Sequence, residues 1–381
     1  MKNEKDESTV GMDRRSFLNL AAFAAVSCAV FKPIEAIAAG GEEFEPVKAR
    51  HWEKLDEGRI RCTLCPKECR VADKERGYCG VRENIRGDYY TLVYSRLCSA
   101  HTDPVEKKPL FHFLPGTTAF SIATAGCNFE CKFCQNWEIS QFRPEQIPSV
   151  KYTPKDIALA ALKDGARSIA YTYTEPVIFF EYMFDCASEG NKKGLKSVMI
   201  SNGYIQKKPM EELVKVLSAV KIDLKAFTDG FYKKTCGGTL KPVLDTLMLL
   251  KSKGIWFEIV VLIIPTLNDS IEENRKMGRW IKANLGADVP VHFTRFYPTY
   301  KIKNLPRTPV ETLEDIHKAV KSEGLNYVYI GNVPGHEAES TYCPKCSKPV
   351  IKRWGFEIVE NNITNKGNCA ACGTRIQGIW Q

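Results

Sequence analysis

From Thr118 onward, short runs of apolar, β-branched and aromatic residues alternate with longer segments whose apolar positions recur at helical spacing. The short runs predict strands at residues 119–123, 168–173, 197–200, 220–224, 256–264, 291–296 and 327–330. Amphipathic helices are predicted after the first strand and again after Val177, Pro209, Leu240, Ser270 and Pro309. This alternation predicts an α/β fold with parallel strands and crossover helices.

The first of these helices has a recognisable beginning. Thr153 supplies an N-cap hydroxyl, Pro154 suits the first helical position, and the pattern ends near Gly165. Six or seven β-α units within residues 118–332 are too few for an eightfold barrel, so a partial barrel is predicted. A doubly wound open sheet is the alternative, because the pattern alone does not decide closure. In either fold the chemistry should collect at the carboxyl ends of the strands.

Composition adds little to this picture. The chain has 381 residues, of which 44% are hydrophobic and 26% charged, so one large folded domain with small appendages is expected. The formal net charge is +9, but cysteines that bind metals do so as thiolates and would cancel much of the excess. The charge therefore indicates no nucleic-acid partner.

The N-terminus has the features of a targeting segment. Arg14 and Arg15 precede an apolar run at residues 20–31, and residues 36–38 supply a small-x-small cleavage pattern. The segment resembles a twin-arginine (Tat) signal, which predicts export to the periplasm or membrane association through the signal region. The alternative is a cytoplasmic protein that retains its signal. The apolar run is too short for a permanent transmembrane helix.

Fifteen cysteines are the unusual number in the composition, and most fall into three tight groups. The groups are Cys62, Cys65, Cys69 and Cys79; Cys127, Cys131 and Cys134; and Cys343, Cys346, Cys369 and Cys372. Cysteines two to four residues apart seldom form a structural disulfide with each other but readily share one metal, so metal sites are predicted. The isolated Cys98, Cys186 and Cys236 are interpreted as small buried apolar residues.

The first and last groups each offer four thiolates. In the tail, two C-x2-C pairs separated by 22 residues, with strand character at residues 351–359, predict a zinc ribbon. In the first group, Cys62 to Cys79 lie in a short loop-rich segment and could hold zinc or a second [4Fe-4S] cluster. The spacing leaves both alternatives open there, with a slight preference for a structural metal.

The middle group offers only three thiolates, in the segment GCNFECKFCQNWEIS after the first predicted strand. Three cysteines can each bind one iron of a [4Fe-4S] cluster and leave the fourth iron open, as a catalytic zinc keeps a free position. The C-x3-C-x2-C spacing, with aromatic Phe133 before the last cysteine, resembles radical S-adenosylmethionine (SAM) enzymes. Residues 103–110, 112–116 and 134–137 further resemble the AmmeMemoRadiSam group, which is related to the activating enzymes of pyruvate formate-lyase.

This resemblance implies a partial (β/α)6-type barrel in which a [4Fe-4S] cluster at Cys127, Cys131 and Cys134 reductively cleaves SAM to a 5′-deoxyadenosyl radical. It also implies a set of SAM contacts at the strand ends, namely Phe133, Thr174, Glu175, Ser201, Asn202, Asp223, Lys225 and His292. Asp223 could equally form a structural salt bridge, and His292 could equally be a buried core histidine. His292 and Arg295 are out of phase in their strand, so at most one of them points inward.

The resemblance implies a low-potential electron donor as partner, and Memo-like and AMMECR-like proteins as neighbours. It does not identify the substrate, which could be a protein, as for glycyl-radical activating enzymes, or a small molecule. The predicted organisation is a signal and linker at residues 1–40, a cysteine-rich module at 41–117, a radical SAM core at 118–332 and a ribbon-like tail at 333–381. The alternative function is a multi-metal electron-transfer or partner-binding protein without SAM chemistry.

Overall fold

The computed structural model describes residues 44–381, and the predicted export signal lies outside this range. Within it, an eight-stranded sheet forms the centre of the fold. Seven of its strands are parallel and follow one another in chain order: Thr118–Ala123, Ser168–Tyr171, Lys196–Ser201, Ala219–Asp223, Trp256–Ile263, Val291–Arg295 and Val328–Gly331. All seven predicted strands are therefore present, with ends shifted by one or two residues.

An eighth strand, Ser99–Pro104, pairs antiparallel with Thr118–Ala123 at one edge of the sheet. No ladder within residues 44–381 joins this strand to Val328–Gly331 at the opposite edge, so the barrel is open. The partial barrel predicted from the repeat of β-α units is confirmed. Residues of the parallel strands are buried along nearly their whole length, as expected for strands covered on both faces.

Helices connect the parallel strands in the predicted places. They span Pro154–Lys163, Phe180–Lys192, Lys207–Leu213, Lys241–Lys253, Ile271–Leu285 and Val310–Ser322. Thr153 caps the first of them: its hydroxyl accepts from the backbone N–H of Asp156, whose carboxylate accepts from the backbone N–H of Thr153. Two short helices, Trp137–Ser140 and Asp229–Phe231, lie in loops, and a π-helical turn spans Tyr232–Cys236. No helix in residues 44–381 is long and apolar enough to cross a membrane.

The segment before the barrel consists of short antiparallel strands joined by turns. One three-stranded sheet contains Val47–Lys48, Asp88–Thr91 and Arg82–Ile85, and another contains Trp52–Lys54, Ile60–Cys62 and Arg70–Val71. A further strand, Arg96–Leu97, pairs with Val150–Lys151. These sheets are too small to form a core of their own, and their apolar side chains join the main hydrophobic core of the barrel.

The tail forms a three-stranded antiparallel sheet, Thr341–Tyr342, Pro349–Trp354 and Glu357–Asn361, and its last residues return to the barrel. Backbone hydrogen bonds join Ile379 to His112 and Leu114 on the segment that leads into the first parallel strand. Residues 44–381 form one compact unit, and the domain boundaries within it stay a prediction.

Candidate active site

A cavity of about 780 Å³ opens at the carboxyl ends of the parallel strands, and we call it the central cavity. It is lined by Cys127, Cys131, Phe133, Cys134, Thr174, Glu175, Asn202, Asp223 and Lys225 among others. These residues come from the ends of four successive strands, which parallel pairing brings to one edge of the sheet. Ser201 and His292, which were also predicted to contact SAM, do not line it.

The loop that carries the three cysteines begins with Gly126. Any other residue at this position would force neighbouring atoms to shift. Gly126 has a φ of +98°, and a Cβ atom on it would lie 2.6 Å from Cγ1 of Val81 and 2.9 Å from the carbonyl oxygen of Cys79. The loop thus packs directly against the N-terminal segment. The backbone N–H of Phe129 then donates to Sγ of Cys127 at 3.3 Å.

Cys236 is a neighbour of the cysteine loop that the sequence analysis missed. The backbone N–H of Glu130 donates to the carbonyl of Cys236 at 2.9 Å, and that of Lys132 donates to Thr235 at 3.0 Å. The thiol of Cys236 lies close enough to Cys131 to favour the Cys131 thiolate, and this lowers the pKa of Cys131. No sequence pattern indicated this contact, since the two cysteines lie on different β-α units.

The spacing of the sulfur atoms distinguishes the cysteine groups. In the tail, Sγ of Cys343 lies 3.6 Å from Cys372 and Sγ of Cys346 lies 3.8 Å from Cys369. Tetrahedral zinc with bonds of about 2.3 Å separates its sulfurs by about 3.8 Å, so the tail fits one ion. Elsewhere in residues 44–381, no three cysteine sulfurs lie within 4.8 Å of one another. The wider spacing at the central cavity fits a cluster of several metal ions better than one ion.

Glu175 is a buried carboxyl group in the wall of the central cavity, with 2% of its surface exposed. Its Oε1 accepts from the hydroxyl of Ser201 at 2.7 Å and from the backbone N–H of Val177 at 3.1 Å. Its Oε2 accepts from the backbone N–H of Asn202 at 2.8 Å. Burial opposes ionisation more strongly than these donors favour it, and raises the pKa of Glu175 to about 7.

The raised pKa of Glu175 predicts a pH-dependent stability. Between pH 4.5 and 7 the folded state retains a proton that the unfolded chain has lost, so the free energy of unfolding falls as the pH rises through this window. Relative to Glu175→Gln, the SAM-free wild type should lose up to about 3 kcal/mol between pH 5 and 8. Urea denaturation of both proteins at several pH values measures the difference, and parallel stability curves would contradict the assignment.

Ser201 and Asn202 play different roles at the end of their strand. Ser201 is buried behind Glu175 and holds that carboxyl group in place, so it does not face the cavity. Asn202 lines the cavity, and its side-chain amide donates to Oδ1 of Asn128 at 2.8 Å. Because Asn128 follows Cys127, this bond ties the cysteine loop to the third parallel strand.

Asp223 forms a partly buried ion-pair cluster at the end of the fourth parallel strand. Its carboxylate accepts from Nζ of Lys221 and, at 2.9 Å, from Nζ of Lys225. Burial opposes its ionisation, but the two ammonium groups outweigh that effect and lower the pKa of Asp223 to about 2. Lys225 also lies 5.8 Å from the ring centre of Phe133 in the cysteine loop. The structural salt bridge that the sequence left open is therefore present, and it forms part of the cavity wall.

His292 is buried in the core, which is the alternative that the sequence analysis left open beside a SAM contact. Its Nε2 lies 2.8 Å from Oε2 of Glu258, and its ring stacks on Tyr329 at 4.8 Å. The side chain of His292 points into the barrel, as that of Thr294 does two residues later on the same strand face. Only Thr294 lines the cavity, so His292 lies one layer below it. Phe111 closes this lower layer with an edge contact at 4.7 Å, so His292 belongs to the barrel floor.

Two features of the cavity wall were not among the predicted SAM contacts. Lys108 and Tyr173 both donate to Asp103 on the antiparallel edge strand, at 2.5 and 2.6 Å, and both line the cavity. At the mouth, Phe356 from the tail hairpin and Tyr297 contribute exposed aromatic rings. The charged residues around Asp103 could have indicated the first feature from the sequence. The contribution of Phe356 to the cavity could not, because it depends on how the tail packs against the barrel.

Thr174 lines the cavity as predicted, but its hydroxyl is engaged within the protein. It donates to the carbonyl of Thr124 at 2.8 Å, next to the cysteine loop. The preceding Tyr173 has a φ of +64°, and its carbonyl accepts from the side chain of Asn136 at 2.8 Å. These bonds join the end of the second strand to both ends of the cysteine loop.

The first cysteine group surrounds a second, smaller cavity, which Asn128 of the cysteine loop also lines. Cys62, Cys65, Cys69 and Cys79 all line it, and we call this group the N-terminal cysteine site. The structure thus brings together each of the three groups that the sequence predicted. Of the isolated cysteines, Cys186 is buried in the helix Phe180–Lys192 as expected.

The chain is similar to several known proteins. Residues 121–278 match the sequence profile of the Radical SAM superfamily. An uncharacterized protein of Methanocaldococcus jannaschii is 46% identical over 86% of this chain and 98% of its own length. The pyruvate formate-lyase-activating enzyme of Clostridium pasteurianum is 22% identical over 51% of this chain and 87% of its own length. A radical SAM methyltransferase structure from Sphaerobacter thermophilus covers 76% of this chain and 77% of its own, with 14% identity and a TM-score of 0.46.

Proposed function

Because residues 121–278 of this chain match the Radical SAM superfamily, we propose that the chain reductively cleaves SAM in the central cavity and uses the resulting radical to abstract hydrogen from a substrate. Three thiols of one loop that face one cavity support this function most directly. Cys127, Cys131 and Cys134 are the only cysteines that line this cavity among the described residues, so a cluster held there would keep one iron for a ligand.

The residues of the chain bind and orient, while the cofactors supply the reactive species. When bound, the [4Fe-4S] cluster and SAM together supply a 5′-deoxyadenosyl radical through transfer of one electron to the sulfonium. Oε2 of Glu175 accepts one hydrogen bond within the protein and keeps acceptor capacity for an ammonium group in the cavity. Lys225, held by Asp223, places a positive charge near the cysteine loop, where it would offset the negative charge of bound thiolates.

We also propose that the hydrogen comes from a polypeptide. The similarity to a pyruvate formate-lyase-activating enzyme supports this choice. So does the mouth of the cavity, where the side chains of Tyr297 and Phe356 are 42% and 46% exposed. Exposed aromatic rings beside a cavity are the groups through which a protein segment is commonly bound.

The tail supports the active site without taking part in the chemistry. We propose that Cys343, Cys346, Cys369 and Cys372 bind zinc, because their sulfurs have the spacing of tetrahedral zinc ligands. Such a closed site fixes the loops of the three-stranded tail sheet, whose hairpin carries Phe356 to the cavity mouth.

Anaerobic reconstitution tests the proposed function. The protein is loaded with iron and sulfide, reduced, and given SAM, and 5′-deoxyadenosine and methionine are then quantified. We expect both products in equal amounts, dependent on reductant, and an EPR signal of the reduced cluster that changes when SAM is added. A cluster signal unaffected by SAM, with no 5′-deoxyadenosine above the reductant-free control, would instead favour an electron-transfer protein.

A further inference from the structure

The N-terminal cysteine site has sulfur positions unlike those of the zinc-type site in the tail. No three of the sulfurs of Cys62, Cys65, Cys69 and Cys79 lie within 4.8 Å of one another. The four tail sulfurs all satisfy that limit, as a single tetrahedral ion requires. The N-terminal sulfurs instead line the walls of a small cavity, just as the three sulfurs of the cysteine loop line the central cavity.

Two buried donors in the same cavity have no partner. Tyr89 is fully buried, lines the cavity, and its hydroxyl makes no hydrogen bond in the structure. Nε of Arg82, which also lines the cavity, is likewise without a partner. A buried donor without an acceptor costs about 1–3 kcal/mol. Inorganic sulfide within the cavity would provide acceptors that a lone zinc ion lacks.

The cavity wall beside Tyr89 is formed by Gly77, which has no side chain. A Cβ on Gly77 would lie 2.7 Å from the hydroxyl oxygen of Tyr89 and 3.7 Å from Sγ of Cys69. Any larger residue there would collide with the hydroxyl of Tyr89. The backbone N–H of Tyr78 donates to Sγ of Cys69 at 3.3 Å, the kind of bond that supports a thiolate ligand.

The site is next to the cysteine loop of the active site. The carbonyl of Cys79 lies against Gly126, the residue before Cys127, at a distance where no Cβ would fit. Asn128, the residue after Cys127, lines the N-terminal cavity. A redox centre held there would therefore adjoin the active-site loop through packed protein.

From these observations we propose that Cys62, Cys65, Cys69 and Cys79 hold a second [4Fe-4S] cluster, closed by four thiolates, that carries single electrons to the active-site loop. The cluster accepts one electron from a low-potential one-electron donor and passes the same electron on, so no bond is made or broken in this step. The cluster assignment stands on the site itself, whereas its role as a carrier rests on the proposed function.

A variant without the active-site ligands tests the cluster assignment. The reconstituted wild type should contain about eight iron atoms per chain, and the triple variant Cys127→Ala, Cys131→Ala, Cys134→Ala should retain about four. The reduced triple variant should also keep a cluster EPR signal that SAM does not alter. A triple variant without iron, whether or not zinc replaces it, would overturn the proposal.

Two further variants separate this assignment from the proposed function. Cys65→Ala with Cys69→Ala should lose about half of the iron while the SAM-sensitive signal remains. Tyr89→Phe should keep the full iron content but shift the midpoint potential of the SAM-insensitive signal downward, because it removes one hydrogen-bond donor. An unchanged potential would show that Tyr89 does not face a cluster. Failure of SAM cleavage in a wild type with both signals would count against the proposed function alone.

Discussion

Replacing Cys134 with alanine is expected to reduce the formation of 5′-deoxyadenosine by at least about a hundredfold, to the level of the reaction without protein. The thiol of Cys134 is one of three that line the central cavity, and Sγ lies 3.2 Å from the hydroxyl of Ser140, which holds its orientation. Removing it leaves two ligands where a cluster with one open iron needs three. The measurement is the yield of 5′-deoxyadenosine after anaerobic reconstitution of each protein.

The matched control is Cys186→Ala. Cys186 is fully buried, lies in the helix Phe180–Lys192 and does not line the cavity. Its replacement should leave the yield within about twofold of the wild type, with at most a small loss of stability. Equal yields from Cys134→Ala and the wild type would show that the central cavity is not where SAM is cleaved.

Replacing Glu181 with glutamine is expected to lower the free energy of unfolding by about 3–5 kcal/mol. Glu181 lies in the helix Phe180–Lys192, and its carboxylate accepts from both terminal nitrogens of Arg82, at 2.6 and 3.0 Å. The two side chains are only 5% and 1% exposed. Arg82 comes from the N-terminal segment, so the variant leaves a buried guanidinium without its counterion where that segment meets the barrel. Chemical denaturation under anaerobic conditions measures the loss.

Glu189→Gln on the same helix is the control for this prediction. Glu189 pairs with Lys192 at 2.5 Å, but the side chains of Glu189 and Lys192 are 30% and 69% exposed, so its replacement should change stability by less than about 0.5 kcal/mol. The double variant Arg82→Met with Glu181→Leu should be more stable than Glu181→Gln, because it removes both buried charges together. Similar losses for Glu181→Gln and Glu189→Gln would mean that burial of the Arg82 pair contributes little.

The sequence determined the fold and the grouping of the three central-cavity cysteines because both depend on local patterns. Each strand appears as a short apolar run, and each crossover helix as an amphipathic segment, so strand ends were predicted to within one or two residues. The C-x3-C-x2-C spacing keeps Cys127, Cys131 and Cys134 together on one loop, however that loop packs against the rest of the protein. Glu175 and Asn202 follow because the carboxyl ends of neighbouring parallel strands meet at one edge.

Only the tertiary structure decided features that depend on distance across the fold. Along the strand, both His292 and Thr294 point inward, and the packing of Phe111 beneath them is what assigns His292 to the barrel floor. The sequence indicated only that Cys236 is a buried cysteine. The fold places it beside Cys131, which belongs to a different β-α unit. The distances between sulfur atoms likewise distinguish the tail site from the N-terminal site. Both contain a C-x2-C pattern, which shows which ligands are neighbours but not how far apart the folded chain holds their sulfurs.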